Sequence, residues 1–255
     1  MRSTRKGKGM MLDVKGKWCF ITGASRGVGR QIALCMAERG ANLILHSRSI
    51  AHTEKVLDEA AKFGIEAFAV EAELSKPDEV EAMLQKIDKS GKNVGIVFND
   101  AGVQIAYRKE YYQTPAADFT QSFLINTIAP AMICYHFLPK MIERGFGRVI
   151  NTTSGIRNEP QQAGYSASKA ALDKFTTDLA SVLDGTDVIL SLADPGWIRT
   201  DLGGPHAPGA VESCLPGMAV GAFINDKKSG RLFPAPRFHG MTLEQAVQAA
   251  ESGLH

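Results

Sequence analysis

Residues Lys17-Trp18-Cys19-Phe20-Ile21-Thr22-Gly23-Ala24-Ser25-Arg26-Gly27-Val28-Gly29 run from a short apolar segment into a glycine-rich turn, and a helical pattern follows at once. The apolar segment reads as a β-strand. The spacing Gly-x-x-x-Gly-x-Gly between strand and helix has a physical purpose: Gly23 permits the tight turn, Gly27 lets the backbone approach a diphosphate, and Gly29 allows the helix to pack closely on the strand. The helix N-terminus then turns unpaired N–H groups and the positive end of its dipole toward the phosphates, with Ser25, Arg26 and Val28 in the turn beside them. The pattern predicts a bound dinucleotide.

The rest of the chain supports such a fold by alternation. Apolar runs of strand length fall at Trp18 to Thr22, Asn42 to His46, Ala67 to Glu71, Val94 to Phe98, Arg148 to Asn151 and Val188 to Ala193, with a short one at Arg231 to Phe233. Helical patterns begin near Gly27, Ala51, Lys76, Ala117, Gly164, Ala210 and Thr242, the third announced by Ser75 as N-cap ahead of Pro77 and Asp78. Strands apolar on both faces, separated by helices, imply an α/β fold: a parallel sheet, doubly wound, with helices on both faces.

Length and composition set outer bounds. At 255 residues with 44% hydrophobic and 22% charged residues, the chain suits one domain, expected over residues 15–255 after a flexible basic arm at 1–14 that carries Arg2, Arg5, Lys6 and Lys8. A net charge of +2 gives no bias toward nucleic acid, and no apolar run approaches the ~20 residues of a membrane span. A cytoplasmic protein is the expectation. Cys19, Cys35, Cys134 and Cys214 are scattered in apolar contexts without metal-ligand spacing, so they read as buried thiols and no metal site is expected.

In such sheets the ligand lies across the carboxyl ends of the strands. The second strand ends Leu45-His46-Ser47-Arg48-Ser49, with no acidic residue to accept from a free ribose 2′-hydroxyl. Arg48, with Arg26 and the Ser47 and Ser49 hydroxyls, could instead surround a 2′-phosphate, which favours NADP(H) over NAD(H). The fourth strand ends Asn99-Asp100-Ala101-Gly102, small enough for the backbone to pass a ribose. Asn126 and Pro130 interrupt a long helical pattern and predict a kink or a bound water. The sixth strand runs into Asp194-Pro195-Gly196-Trp197-Ile198-Arg199-Thr200, a turn whose backbone and Thr200 hydroxyl could meet a carboxamide.

Tyr165 and Lys169, four apart on one helical face, can point into one pocket. A free phenol has a pKa near ~10, and an adjacent ammonium would bring it toward the working range. Ser154 lies a short loop upstream, placed to hold the substrate oxygen.

With these residues assembled, the chain resembles the classical short-chain dehydrogenase/reductase family from about Lys17 to at least Thr200. The motifs that carry the resemblance are Thr22-Gly23-x-x-x-Gly27-x-Gly29, Asn99-Asp100-Ala101-Gly102, Asn126, Ser154, Tyr165-x-x-x-Lys169 and Pro195-Gly196. The resemblance implies a Rossmann fold and a reversible NADP(H)-dependent reduction of a ketone to a secondary alcohol. Tyr165 would be general acid and base, and Ser154 would orient the substrate oxygen. Lys169 would lower the Tyr165 pKa and bind the nicotinamide ribose, and Asn126 would hold a relay water. Ile198 and Thr200 would anchor the carboxamide, Glu73 and Leu74 would approach the adenine, and Asn99, Ala101 and Gly102 would pass the adenosine side. A homodimer or homotetramer is expected from family behaviour.

Three departures stand out. Asp100 replaces the usual Asn or Ala, Glu73 stands where Asp is typical, and the interval from Ser154 to Tyr165 is shorter than usual. Thr152 or Thr153 would restore the count, but Ser154 is preferred, because a loop absorbs a deletion more easily than a sheet changes register. The contracted loop, with Arg157, Asn158, Glu159, Gln161 and Gln162, should form one polar wall of the pocket, and the Gly/Pro-rich segment 202–209 the other. A 3-oxoacyl thioester reductase is the alternative within enzymes; a non-catalytic NADP-binding sensor or scaffold is the alternative outside them.

Overall fold

The computed structural model of the chain describes residues 11–254. Seven strands form one sheet in the order β3-β2-β1-β4-β5-β6-β7: β1 Trp18–Ile21, β2 Asn42–Ser47, β3 Ala67–Glu71, β4 Val94–Asn99, β5 Gly147–Thr152, β6 Val188–Asp194 and β7 Leu232–Pro234. Every pairing is parallel. Parallel strands require crossovers, and reversal of the winding at β1 puts helices on both faces.

Side-chain alternation along β1 feeds two cores. Cys19 and Ile21 face one layer, made by α1 (Gly27–Glu38), α2 (Glu54–Ala61), α7 (Val220–Phe223) and α8 (Leu243–Glu251). Trp18 and Phe20 face the other, made by α3 (Pro77–Lys89) and α5 (Ala129–Arg144) and flanked by Phe175 and Leu179 of α6 (Ala163–Ala180). Ile32 and Met36 of α1 are fully buried, each contributing about 1.5–3 kcal/mol.

The expected elements are present with small shifts, and the differences have local causes. Ser75 does not cap α3; Lys76 stands at the N-cap, and the Ser75 hydroxyl donates to Glu73 Oε1 at 3.1 Å. The helix expected from Ala210 is two 3₁₀ turns, Val211–Cys214 and Gly217–Ala219, followed by the short α7. Pro216 and Gly217 interrupt it, and a Cβ on Gly217 would sit 2.3 Å from Ala235 Cα, so the segment must lie flat there. Thr242 caps α8 in a capping box with Gln245.

Of the expected arm, residues 1–10 lie outside the described residues. Met11 and Leu12 pack on the core, Val14 is buried, and Leu12 N–H donates to Phe223 O at 2.9 Å, so residues 11–14 belong to the domain. The stretch Ala116–Arg144 is long and apolar enough to cross a membrane by length and composition. Within the fold, its Ile133, Phe137, Leu138 and Met141 are buried in the second core. Cys19, Cys134 and Cys214 are buried and Cys35 partly so, all unpaired.

Candidate active site

The β1–α1 turn is built by close approach. Gly23 has φ +69°, and a Cβ there would lie 2.9 Å from Ala101 Cα; a Cβ on Gly29 would lie 2.4 Å from Gly23 O. Only glycine fits either position, and α1 therefore starts hard against the carboxyl end of β1, with no cap from the Arg26 side chain. Thr22 ties the neighbouring strand to it, its hydroxyl accepting from Asp100 N at 2.9 Å and Ala101 N at 3.0 Å.

His46, unassigned by sequence reading, braces the same turn. Its Nδ1 accepts from Gly23 N–H at 3.4 Å and its Nε2 donates to Ala72 O at 3.1 Å, which fixes one neutral tautomer. The available signal was a polar ring inside an otherwise apolar strand. Burial pushes its pKa from 6.5 down to about 4. Above pH 6.5 the imidazole is neutral in both folded and unfolded chains, and its contribution to stability is complete. As pH falls toward 4 the unfolded chain takes up a proton that the folded one refuses, so stability is lost. Between pH 7.5 and 4.5 denaturant unfolding should cost the wild type about 2–3 kcal/mol more than His46→Gln; equal losses would refute the assignment.

At the adenosine end, Arg26 and Arg48 are exposed. Arg26 Nε pairs with Asp201 at 3.1 Å across to the segment after β6, and the Ser47 hydroxyl donates to Ser49 O at 2.5 Å. Glu73 does not reach out as expected; its carboxylate accepts from Ser75 N–H and hydroxyl. The Leu74 side chain is in the second core, which leaves only its backbone for a ligand. Asn99 Nδ2 donates to Asn151 Oδ1 at 2.8 Å.

Tyr165, Lys169 and Asn126 are all buried. The phenol is hydrogen-bonded to Ser154. The three consecutive hydroxyls at the end of β5 have different surroundings: Thr152 donates to Asp100 Oδ1 at 2.9 Å, Thr153 lies near the Asp173 carboxyl without a close hydrogen bond, and Ser154 meets Tyr165. Burial pushes the Tyr165 pKa up, the Ser154 bond opposing and Asp194 adding to it. Burial outweighs the expected depression by Lys169, whose Nζ donates to Thr152 O at 2.7 Å and lies 6.0 Å from the phenol ring centroid. Burial pushes Lys169 itself down to about 8.

A π-helical turn, Leu124–Ile128, interrupts the chain between α4 (Ala116–Phe123) and α5, which is the expected kink. The Asn126 side chain is fully engaged there, accepting from Val103 N and donating to Val103 O, both at 2.9 Å, and to Ser168 Oγ at 3.0 Å. Any relay water would have to use its backbone. A Cβ on Gly102 would meet Asn126 Oδ1 at 3.3 Å and Lys169 Nζ at 3.5 Å, which joins the β4 turn to the Tyr165 group.

The segment after β6 lies on the glycine turn, with Thr200 Cγ2 3.6 Å from the Cβ position of Gly27. Asp194 Oδ1 accepts from Gly196 N–H at 2.9 Å and shapes the Pro195-Gly196 turn. Ile198 is buried, and the Thr200 hydroxyl accepts from Gly203 N–H at 3.0 Å. Trp197 Nε1 donates to Gly203 O at 2.9 Å, and Arg199 Nη1 donates to Ala207 O and Pro208 O, both at 2.9 Å, so this wall is internally bonded. On the opposite side Arg108 N–H donates to Gln161 O at 3.0 Å, and Arg108 holds Asp118 with two bonds.

The short chain dehydrogenase family matches residues 17–209, which span the glycine turn, the Ser154–Tyr165–Lys169 group and the Pro195-Gly196 turn. The chain belongs to that family. Among short-chain dehydrogenases, it is 30% identical over 196 residues to the 3-oxoacyl-[acyl-carrier-protein] reductase FabG of Aquifex aeolicus, covering 76% of this chain and 78% of the relative. A metagenomic short-chain oxidoreductase solved in complex with NADP superposes with a TM-score of 0.67 at 29% identity, covering 75% of this chain and 87% of that one. NAD+-bound xylitol dehydrogenase shares the fold, with a TM-score of 0.78 at 21% identity over 88% of this chain and 98% of that one. An oxidoreductase with a nicotinamide cofactor follows from membership.

Proposed function

We propose that this short-chain dehydrogenase is an NADP(H)-dependent carbonyl reductase that converts a ketone to a secondary alcohol. The observation that carries the reading is the buried Tyr165 phenol paired with the half-buried Ser154 hydroxyl beside Lys169, at the strand ends that face the glycine turn. The residues fit a dinucleotide: the start of α1 and the Gly23–Gly29 contact suit the diphosphate, and Arg26, Arg48, Ser47 and Ser49 suit a 2′-phosphate. When bound, the nicotinamide supplies the hydride.

The chain's own residues manage the oxygen. Ser154 orients the carbonyl oxygen and Tyr165 gives it a proton as negative charge develops. A phenol with a raised pKa is fully protonated at neutral pH, which suits donation and therefore reduction; oxidation needs the phenolate and is favoured only by alkaline conditions. Lys169, charged and buried, orients the ribose and stabilises the phenolate left behind. The backbone after Pro195-Gly196, with Ile198 and Thr200, holds the carboxamide. A second copy is expected on the outer face of α5 and its flanks, where Ile128, Tyr135, Ile142 and Val182 are exposed.

A second reading, 3-oxoacyl thioester reduction, is favoured by the Aquifex aeolicus relative. Oxidation of NADPH and NADH over ketones, quinones, steroid ketones and 3-oxoacyl thioesters separates these possibilities. NADPH should be preferred about 10- to 100-fold, and Arg48→Ala should remove most of that preference. Equal use of NADH by the wild type would defeat the 2′-phosphate reading. Tight NADPH binding without turnover on any compound would point to a binding protein instead.

A further inference from the structure

Asp100, where the family usually has Asn or Ala, joins three parts of the site. Its Oδ1 accepts from the Thr152 hydroxyl at 2.9 Å, and Thr152 O receives Lys169 Nζ at 2.7 Å. The same carboxyl accepts from Gly29 N–H in the first turn of α1, and Asp100 N–H donates to Thr22 Oγ1 at 2.9 Å. One side chain therefore connects the end of β5, the start of α1 and, through a single carbonyl, the buried ammonium.

We propose that Asp100 is a positioning residue for Lys169: its carboxylate keeps the buried Nζ protonated and, through Thr152, holds the carbonyl that aims it. This rests on the reading of Lys169 as the charged partner of Tyr165. The surrounding groups favour Asp100 for the task. Lys169 is opposed in losing its proton by Asp100 first, then by Asp173 on α6 and Asp194 at the end of β6. Asp194 Oδ1 is engaged by Gly196 N–H, and Asp173 faces Thr153. The remaining neighbours are the Tyr165 phenol and the Cys214 thiol, both held neutral by burial, and the uncharged Asn126. Burial pushes Asp100 up to about 6, with Thr152, Lys169 and Gly29 opposing, so it is ionised at neutral pH.

Asp100→Asn keeps the shape and removes the charge. In the unliganded protein, the NMR titration of Lys169 Cε should move to lower pH by about one unit in this variant. The alkaline limb of kcat should move the same way, with KM for the ketone held within about 2-fold. An unmoved titration and an unmoved limb overturn the proposal even if kcat falls, because a merely structural role would lower kcat without shifting either. Should the variant not fold, the wild type decides: ionisation of Asp100 near pH 6 must appear as a second inflection in the Lys169 signal, and a single-step curve overturns the coupling. A shifted Lys169 titration together with full turnover in Tyr165→Phe would leave the coupling standing and remove the proposed function.

Discussion

Tyr165→Phe should lower kcat for ketone reduction by about 10²–10⁴-fold at saturating NADPH while leaving NADPH affinity within about 3-fold. The ring keeps its packing, so the protein should remain folded, and only the proton and the bond to Ser154 are lost. Ser154→Ala should cost less, because the phenol keeps its own proton and loses an orienting partner. Thr153→Val should stay near wild type, since that hydroxyl faces Asp173 and not the phenol. Steady-state kinetics with a fixed ketone separates the three. Turnover near wild type in Ser154→Ala with loss in Thr153→Val would transfer the orienting role to Thr153.

Gly29→Ala is the variant with the largest expected effect on folding and cofactor together. A methyl there would lie 2.4 Å from Gly23 O and 3.0 Å from Asp100 Oδ2, and neither a strand-end carbonyl nor a bonded carboxylate can withdraw without opening the turn. Overpacking of this kind costs about 3 kcal/mol, or about 6–12 °C in melting temperature for a chain this long. NADPH affinity should fall at least ~10-fold, because the α1 N-terminus moves with the turn. Gly64 is the control: it has φ +71° but nothing within 4 Å of its Cβ position, so Gly64→Ala should cost only ~1 kcal/mol and leave NADPH binding intact. Equal melting temperatures and affinities in Gly29→Ala and wild type would mean that the turn is looser than its contacts imply.

Much of the fold was legible because its signals are local. Apolar runs bounded by turn residues located all the strands to within one or two residues, and the asparagine and proline near 126–130 announced the π turn. The misjudged elements depend on contacts distant in sequence. The helix expected from Ala210 gives way because Gly217 lies against Ala235, and Ser75 serves Glu73 instead of capping α3. At the site, spacing placed Tyr165, Lys169 and Ser154 together. It could not show that Lys169 would turn onto Thr152 O, that burial would raise the phenol's pKa, or that Asp100 would connect β5 to α1. Each is a property of several strand ends converging, which no single segment encodes.

The sheet order also governs how the molecule is assembled. β1 is an interior strand, but its second neighbour is β4, and the bond between Thr22 and Phe98 joins residues 76 positions apart. A chain growing from its amino terminus can pair β1 with β2 and β2 with β3, yet one apolar edge of β1 stays bare until β4 has been made. Bare apolar edges invite pairing with other chains, and distant pairings form slowly, in milliseconds to seconds. The strand that carries the glycine turn thus stays open on one side until β4 has been made, and that interval of synthesis exposes it to pairing with other chains.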